Sequence, residues 1–251
     1  MDLNHFEKQH VKTLYSIGAI VTLLQLLVII SYALVMVVIG PRITSAEEFF
    51  TVQQSSVWMS FLRGDFLLMI LIGLYLGNFP ALMVSLWRLH PITILFAGLF
   101  TLMAVIISFA GESTFALMHL GKMYTAAGSE LERSQMITAG ETILAAGWWN
   151  SSGSYMTGIL LQGAGVMISV VMLRSPNFSK LTAWAGIIGN SADLLQHLLA
   201  PFAPGISEYL SFAMILYLVW YAMLSRDLFR LARQSGLPGT GDTDANVVVK
   251  A

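Results

Sequence analysis

The chain has 251 residues, of which 56% are hydrophobic and 11% are charged, and its mean hydropathy is +0.73. A soluble domain carries about 25% charged residues, so this composition excludes an ordinary soluble protein and a disordered chain. The 13 Lys and Arg residues are balanced by 14 Asp and Glu, which leaves no basic surface for nucleic acid. The chain contains no cysteine, which excludes disulfides and thiolate chemistry. A multi-pass membrane protein remains.

Long runs without charged residues predict the membrane helices, because a helix needs about 20 apolar residues to cross a hydrocarbon core about 30 Å thick. The alternating pattern of barrel strands is missing. The predicted spans are 14–39, 66–87, 91–111, 148–173, 181–200 (interrupted by Asp193) and 207–228. We therefore predict an all-α, six-helix membrane domain over 14–232. A cytoplasmic segment, 1–13, precedes it, and a disordered cytoplasmic tail, 233–251, follows it.

The distribution of positive charge predicts the orientation, since cytoplasmic loops carry an excess of Lys and Arg. With a cytoplasmic N-terminus, nine of these residues lie on the inner side: Lys8, Lys12, Arg88, Arg174, Lys180, Arg226, Arg230, Arg233 and Lys250. Four lie on the outer side: Arg42, Arg63, Lys122 and Arg133. Both termini are therefore predicted to be cytoplasmic.

The two predicted outer segments, 40–65 and 112–147, are both long, but a helix is predicted only in the second. Residues 112–147 are too many for a loop without structure of its own. Within them, the Ser129-to-Glu132 spacing has the pattern of a capping box. This pattern predicts a helix that runs to about Ala146, so we expect one or two extra helices in this segment. Residues 40–65 are expected to form a loop.

The fifth predicted span carries a stripe of polar and small residues. Gly186, Asn190, Asp193 and His197 are spaced 4, 3 and 4 residues apart, which places them on one face of a helix. Polar side chains inside a membrane are costly and line the bundle interior, a cavity or a ligand. An Asp and a His one turn apart can hydrogen-bond each other, shuttle a proton or bind one metal ion.

The predicted topology places further polar residues at a similar depth near the outer surface. The candidate ligand-binding residues are Asn190, Asp193, His197, Glu112, His119 and Arg63. Three interpretations remain open at this point. The cluster forms an outward-facing pocket, or it only holds helices together, or it is a metal site. In the metal site, His119, Asp193 and His197 would be the ligands and Glu112 the general base.

The functions that follow from these interpretations belong to different classes. The first prediction is a protein that binds or transports a small or lipidic molecule through an outward-facing polar pocket. The alternatives are a metal-dependent intramembrane hydrolase, with zinc as the metal, and a structural or interaction protein without chemistry. No catalytic residue and no other cofactor are predicted. The expected partners are membrane lipids and the ligand, without nucleic acid, and a homodimer is the expected assembly if the chain self-associates.

The pattern also resembles a known family. Six spans, a long polar outer segment and a fifth span that reads SKLTAWAG over 179–186 and DLL over 193–195 carry the resemblance. The family is a prokaryotic integral-membrane family catalogued only as a domain of unknown function, and the likeness covers about residues 10–232. It implies a multi-pass protein of the inner (plasma) membrane. It implies no catalytic residue.

Overall fold

The computed structural model describes residues 3–146, 151–203, 205, 209–210 and 213–235. These residues are helical and contain no strand, which confirms the all-α prediction. The helices are α1 (Leu3–Leu34, continued by a π-helical turn, Val35–Ile39), α2 (Ala46–Ser55), α3 (Val57–Leu62), α4 (Phe66–Gly73), α5 (Tyr75–Leu86), α6 (Pro91–Gly111), α7 (Thr114–Ala126), α8 (Glu130–Ala146), α9 (Ser152–Met172), α10 (Lys180–Leu199) and α11 (Ala213–Ser235).

The long helices form a closed ring. In order around the ring, α1, α5, α6, α9, α10 and α11 each contact the next, and α11 returns to contact α1. The inside of the ring is a continuous core that includes Leu86, Ile94, Ile168 and Leu228, all fully buried. The outside exposes large apolar side chains such as Ile106 and Leu195. Helices that are apolar on both faces are typical of a bundle surrounded by lipid.

Four helical stretches are long and apolar enough to cross a membrane: Gln9–Ile39, Phe66–Leu86, Pro91–Ala126 and Ser152–Met172. They correspond to the first four predicted spans. Helices α10 and α11 are not among them, because polar residues such as Asn190 and Asp193 in α10 and the charged last turns of α11 lower their hydropathy. The helices therefore support a membrane protein, while the count of six spans is not confirmed by length and composition.

Four further helices form a second packed group, which we call the helical cap: α2, α3, α7 and α8. Helices α2, α7 and α8 pack on one another around Phe49, Phe50 and Leu117, and α3 contacts α2 and α4. Helix α8 confirms the helix predicted to end at Ala146, and the Ser129 hydroxyl accepts a hydrogen bond from the Glu132 amide at 3.3 Å. The 112–147 segment thus contains two extra helices, α7 and α8, as expected.

Residues 40–65, which were expected to form a loop, fold into α2 and α3. The reason lies in their caps: the Ser45 side chain accepts a hydrogen bond from the Glu48 amide at 3.2 Å, and Ser56 accepts one from Met59 at 3.3 Å. The Ser45-to-Glu48 spacing is the same capping signal that marks α8. The loop prediction was therefore wrong.

The ends of the chain differ slightly from the predicted boundaries. Helix α1 begins at Leu3, so the described part of the predicted N-terminal segment belongs to the first helix. Helix α11 continues to Ser235, three residues into the predicted tail. The remaining tail, 236–251, and the predicted start of the fourth span lie outside the described residues.

Candidate functional site

The polar stripe of α10 faces glycines on α9. A Cβ built on Gly158 would lie 1.9 Å from Cδ2 of His197, and one built on Gly165 would lie 2.1 Å from Oδ1 of Asn190. Gly158 and Gly165 are seven residues apart on α9, and their partners His197 and Asn190 are seven residues apart on α10 in the opposite order. This spacing is expected for two antiparallel helices in constant register. The glycines therefore leave the space that the polar side chains of α10 occupy, which lets the two helices approach closely.

The same register continues at Gly186. Here the glycine is on α10, and its Cβ would lie 2.2 Å from Oγ of Ser169 on α9 and 2.6 Å from Nε1 of Trp220 on α11. Both side chains are buried, and neither atom has a hydrogen-bond partner within the described residues. The interface of α9, α10 and α11 is thus polar from His197 inward to Gly186.

Asp193 lies at the centre of a hydrogen-bonded chain that joins three helices. Its Oδ1 is 3.2 Å from Nδ1 of His197, and its Oδ2 accepts a hydrogen bond from the Tyr217 hydroxyl at 2.8 Å. The same hydroxyl is 2.6 Å from the side-chain amide of Gln162 on α9. We call these four residues the Asp193 network. Both oxygens of the carboxylate are therefore engaged, by α10 itself and by α11.

The Tyr217 hydroxyl has one proton for two neighbours. It donates this proton to the carboxylate of Asp193, because a charged acceptor forms the stronger hydrogen bond. In the structure it is Oε1 of Gln162 that lies 2.6 Å from the hydroxyl, and a half-turn of the amide would bring the NH₂ group to this position instead. With that half-turn the donors would point in one direction, from Gln162 through Tyr217 to Asp193.

An aromatic layer supports Tyr217 on the inner side. The ring centroid of Tyr217 lies 6.1 Å from that of Trp220 and 6.0 Å from that of Tyr221. The Tyr221 hydroxyl forms a hydrogen bond with the Tyr75 hydroxyl of α5, and both rings are buried. This packing fixes the orientation of Tyr217 and hence of the carboxylate to which it donates.

The opposite side of the network is accessible. The side chain of His197 is 32% exposed and that of Asp193 is 17% exposed, whereas Asn190 one turn deeper is fully buried. The His197 Nδ1 contacts both the carboxylate and the backbone carbonyl of Asp193, the latter at 2.9 Å. A ligand that approaches from this side would meet His197 first and Asp193 behind it.

The other predicted pocket residues are used elsewhere. Arg63 pairs with Glu48 at 2.5 Å and donates to the carbonyl of Pro41 at 2.8 Å. Glu112 accepts a hydrogen bond from the Thr114 amide at 2.6 Å, next to the first turn of α7, and His119 is exposed on that helix. The predicted topology had indicated only how deep each of these residues lies along the membrane normal. It did not indicate where each residue lies within the plane of the membrane.

The proposed zinc ligands are likewise not assembled. In the part of the chain that the structure describes, no three His, Asp or Glu side chains are arranged to hold a metal ion. Asp193 and His197 are adjacent, but His119 lies on α7, which packs against α2 and α8. The geometry gives the hydrolase alternative no ligand set.

Two members of the network were missed by sequence reasoning. Gln162 is the only amide side chain in α9, and Tyr217 and Tyr221 are one turn apart on α11. An amide alone among glycines and aliphatic residues in a predicted span was a usable signal. The Tyr pair was a weaker one, because tyrosines are common near membrane surfaces.

A second carboxylate is buried at the other end of α10. Asp227 on α11 is fully buried and accepts hydrogen bonds from the Ser179 amide at 2.9 Å and the Thr182 hydroxyl at 2.6 Å. Its other oxygen lies 3.3 Å from Arg226 and 3.4 Å from Arg230. Asp227 therefore caps the N-terminus of α10 from a neighbouring helix, where a negative charge is stabilised by the helix dipole.

Comparison with known proteins gives no relative for this chain. No family model, no curated protein and no solved structure matches it. The resemblance to a prokaryotic membrane family therefore stays a prediction.

Proposed function

We propose that this protein is a six-span protein of the plasma membrane that binds or transports a small or lipidic molecule at the Asp193 network. Both termini lie in the cytoplasm, and the pocket opens to the opposite side. The helical cap, α2, α3, α7 and α8, lies on that outer side.

The closed ring supports the count of six. Helices α10 and α11 complete the ring between α9 and α1, so they run beside helices that are apolar enough to span the membrane. The polar residues Asn190 of α10 and Asp227 of α11 are fully buried. Polar groups that face the interior of a bundle are compatible with a span of lower hydropathy.

The depth of Asp193 supports the outward opening. Thirteen residues separate it from Lys180 at the start of α10, which corresponds to about 20 Å along a helix. Measured from the cytoplasmic end, this depth lies beyond the middle of a hydrocarbon core about 30 Å thick. His197, one turn further, lies closer still to the outer surface.

The observation that carries the proposal is the state of the Asp193 carboxylate. It lies within a bundle and accepts hydrogen bonds, yet no Lys or Arg of the described chain forms an ion pair with it. Carboxylates inside membrane proteins mark ligand, ion or proton sites. Asp227, which holds α10 to α11, lies beside two arginines that are always charged. Among the described residues, the one neighbour of Asp193 that can be cationic is His197, an imidazole that can also be neutral.

Native mass spectrometry of the purified protein tests this function. We expect the wild type to retain a bound small molecule or lipid that Asp193→Asn loses, because the amide has no charge for the ligand. Glu112→Gln is the matched control, since it also removes one carboxylate but acts at α7. An adduct that is retained equally by Asp193→Asn would contradict the proposal and favour a purely structural network.

A further inference from the structure

We propose that one end of the ring binds the headgroups of anionic phospholipids. This end, which we call the basic end, consists of residues 87–90 between α5 and α6, residues 173–180, where α9 connects to α10, and the last turns of α11, residues 226–235. Lys180 at this end lies about 20 Å along α10 from Asp193. The inference therefore goes beyond the proposed function, and only the assignment of the basic end to the cytoplasmic leaflet uses the proposed topology.

Side-chain hydrogen bonds join the three segments of the basic end. Nη1 of Arg174 lies 3.0 Å from Nε2 of His90, which links the α9–α10 connection to the α5–α6 connection. The Arg230 guanidinium donates a hydrogen bond to the carbonyl of Asn177 at 2.7 Å, which links α11 to the α9–α10 connection. The three segments therefore form one surface, although they are distant in the sequence.

The basic end has a local excess of positive charge. Its only carboxylate is that of Asp227, which is fully buried. Six Lys and Arg side chains are exposed there: Arg88, Arg174, Lys180, Arg226, Arg230 and Arg233. Six positive charges and one negative charge give this end a formal net charge of +5, whereas the whole chain has a formal net charge of −1. The surface therefore favours an anionic partner.

Large apolar side chains lie beside these charges. Trp87 precedes Arg88, and Leu181 and Trp184 follow Lys180 in the first two turns of α10; all three apolar side chains are exposed. Tryptophan together with Lys or Arg is typical of the headgroup level of a membrane. A phospholipid contacts both kinds of side chain, with its phosphate on the cations and its acyl chains on the apolar groups. A soluble phosphate would contact the cations alone.

The guanidinium groups favour an anionic headgroup over a zwitterionic one. Each guanidinium presents parallel N–H donors that match the oxygens of a phosphate. A zwitterionic headgroup adds a cation beside its phosphate, and the net positive charge of the basic end repels this cation. Because Arg226 and Arg230 also contact the buried Asp227, Arg88 and Arg233 are the positions at which charge can be removed without disturbing that carboxylate.

Titration of the purified protein with lipid tests the inference. The protein in a neutral detergent is titrated with phosphatidylglycerol, with phosphatidylcholine of the same acyl chains, or with glycerol phosphate, and bound molecules are counted by native mass spectrometry. We expect phosphatidylglycerol to bind more tightly than phosphatidylcholine, because only the former has a net negative charge. Glycerol phosphate, which lacks acyl chains, is expected not to displace the bound lipid.

Two pairs of substitutions make the result specific. Arg88→Gln combined with Arg233→Gln is expected to weaken phosphatidylglycerol binding about fivefold for each charge removed, since each Lys or Arg near an anionic membrane surface contributes about 1 kcal/mol. Lys122→Gln combined with Arg133→Gln is the matched control, because it also removes two exposed charges but acts on the helical cap. Asp193→Asn is expected to bind phosphatidylglycerol as the wild type does.

Three results would overturn the inference: equal binding of the two lipids, displacement of phosphatidylglycerol by glycerol phosphate, or equally tight binding by the two substituted pairs. Displacement by glycerol phosphate would identify a site for soluble phosphate instead of a lipid. None of these results bears on a molecule whose retention depends on Asp193, so the proposed function would stay in place.

Discussion

Replacing Asp227 with alanine is expected to destabilise the protein by about 1–3 kcal/mol for each donor that it leaves without an acceptor in the interior. The Ser179 amide and the Thr182 hydroxyl would lose their acceptor, and the N-terminus of α10 would lose a cap. Asp227→Asn should cost less, since its one remaining oxygen can still accept a hydrogen bond. Unfolding in mixed micelles, followed by tryptophan fluorescence, measures the difference.

Glu130 provides the control for this experiment. It also pairs with an arginine, Arg133 at 2.8 Å, but its side chain is 88% exposed on α8. Exposed ion pairs contribute little, so Glu130→Ala should change the free energy of unfolding by less than about 0.5 kcal/mol. An Asp227→Ala protein as stable as the Glu130→Ala protein would show that α10 does not depend on this cap.

The second large effect is expected at the contact between α9 and α10. Gly158→Ala and Gly165→Ala each add a methyl group where His197 or Asn190 already lies, at 1.9 Å and 2.1 Å. The side chains or the helices must move, and overpacking of this kind costs about 1–3 kcal/mol. Thermal unfolding of the purified variants would reveal the loss.

Gly163 is the matched position on the same helix. A Cβ added there meets no atom within 4 Å, so Gly163→Ala should be neutral or slightly stabilising through its better helix propensity. If all three variants had the same stability, the close approach of the two helices at Gly158 and Gly165 would be wrong.

The sequence predicted the helices better than the contacts between them. A long apolar run has few alternatives to a helix, so α6, at Pro91–Gly111, matches its predicted span at both ends. A stripe on one helix is equally local: Asn190, Asp193 and His197 lie on one face because the helix repeat requires it. These features depend on neighbouring residues alone.

The site as a whole could not be predicted in this way. Whether Asp193 meets Tyr217 or Glu112 depends on which helices are adjacent in the ring and how each is rotated. Glu112 and Arg63 were grouped with Asp193 by depth, yet the first is engaged by an amide two residues away and the second by Glu48. Glu112 and Arg63 thus have hydrogen-bond partners nearby in the sequence, so neither residue needs a contact with the distant helices α10 and α11.

Labelling of single cysteines tests the central claim, that the Asp193 network is an aqueous site reached from outside the cell. The natural chain has no cysteine, so each introduced thiol is the only target. Intact cells are treated with a charged, membrane-impermeant thiosulfonate reagent. His197→Cys probes the site, Leu195→Cys probes the outer surface of α10, where the side chain is 45% exposed, and Pro176→Cys probes the segment between α9 and α10.

We expect labelling of His197→Cys in intact cells and none of Leu195→Cys, because in the proposed membrane bundle lipid would cover the outer surface of the ring. Pro176→Cys should react only after the membrane is opened, since the proposed topology places it on the cytoplasmic side. An unreactive His197→Cys, or equal labelling at positions 195 and 197, would contradict a water-accessible pocket at Asp193.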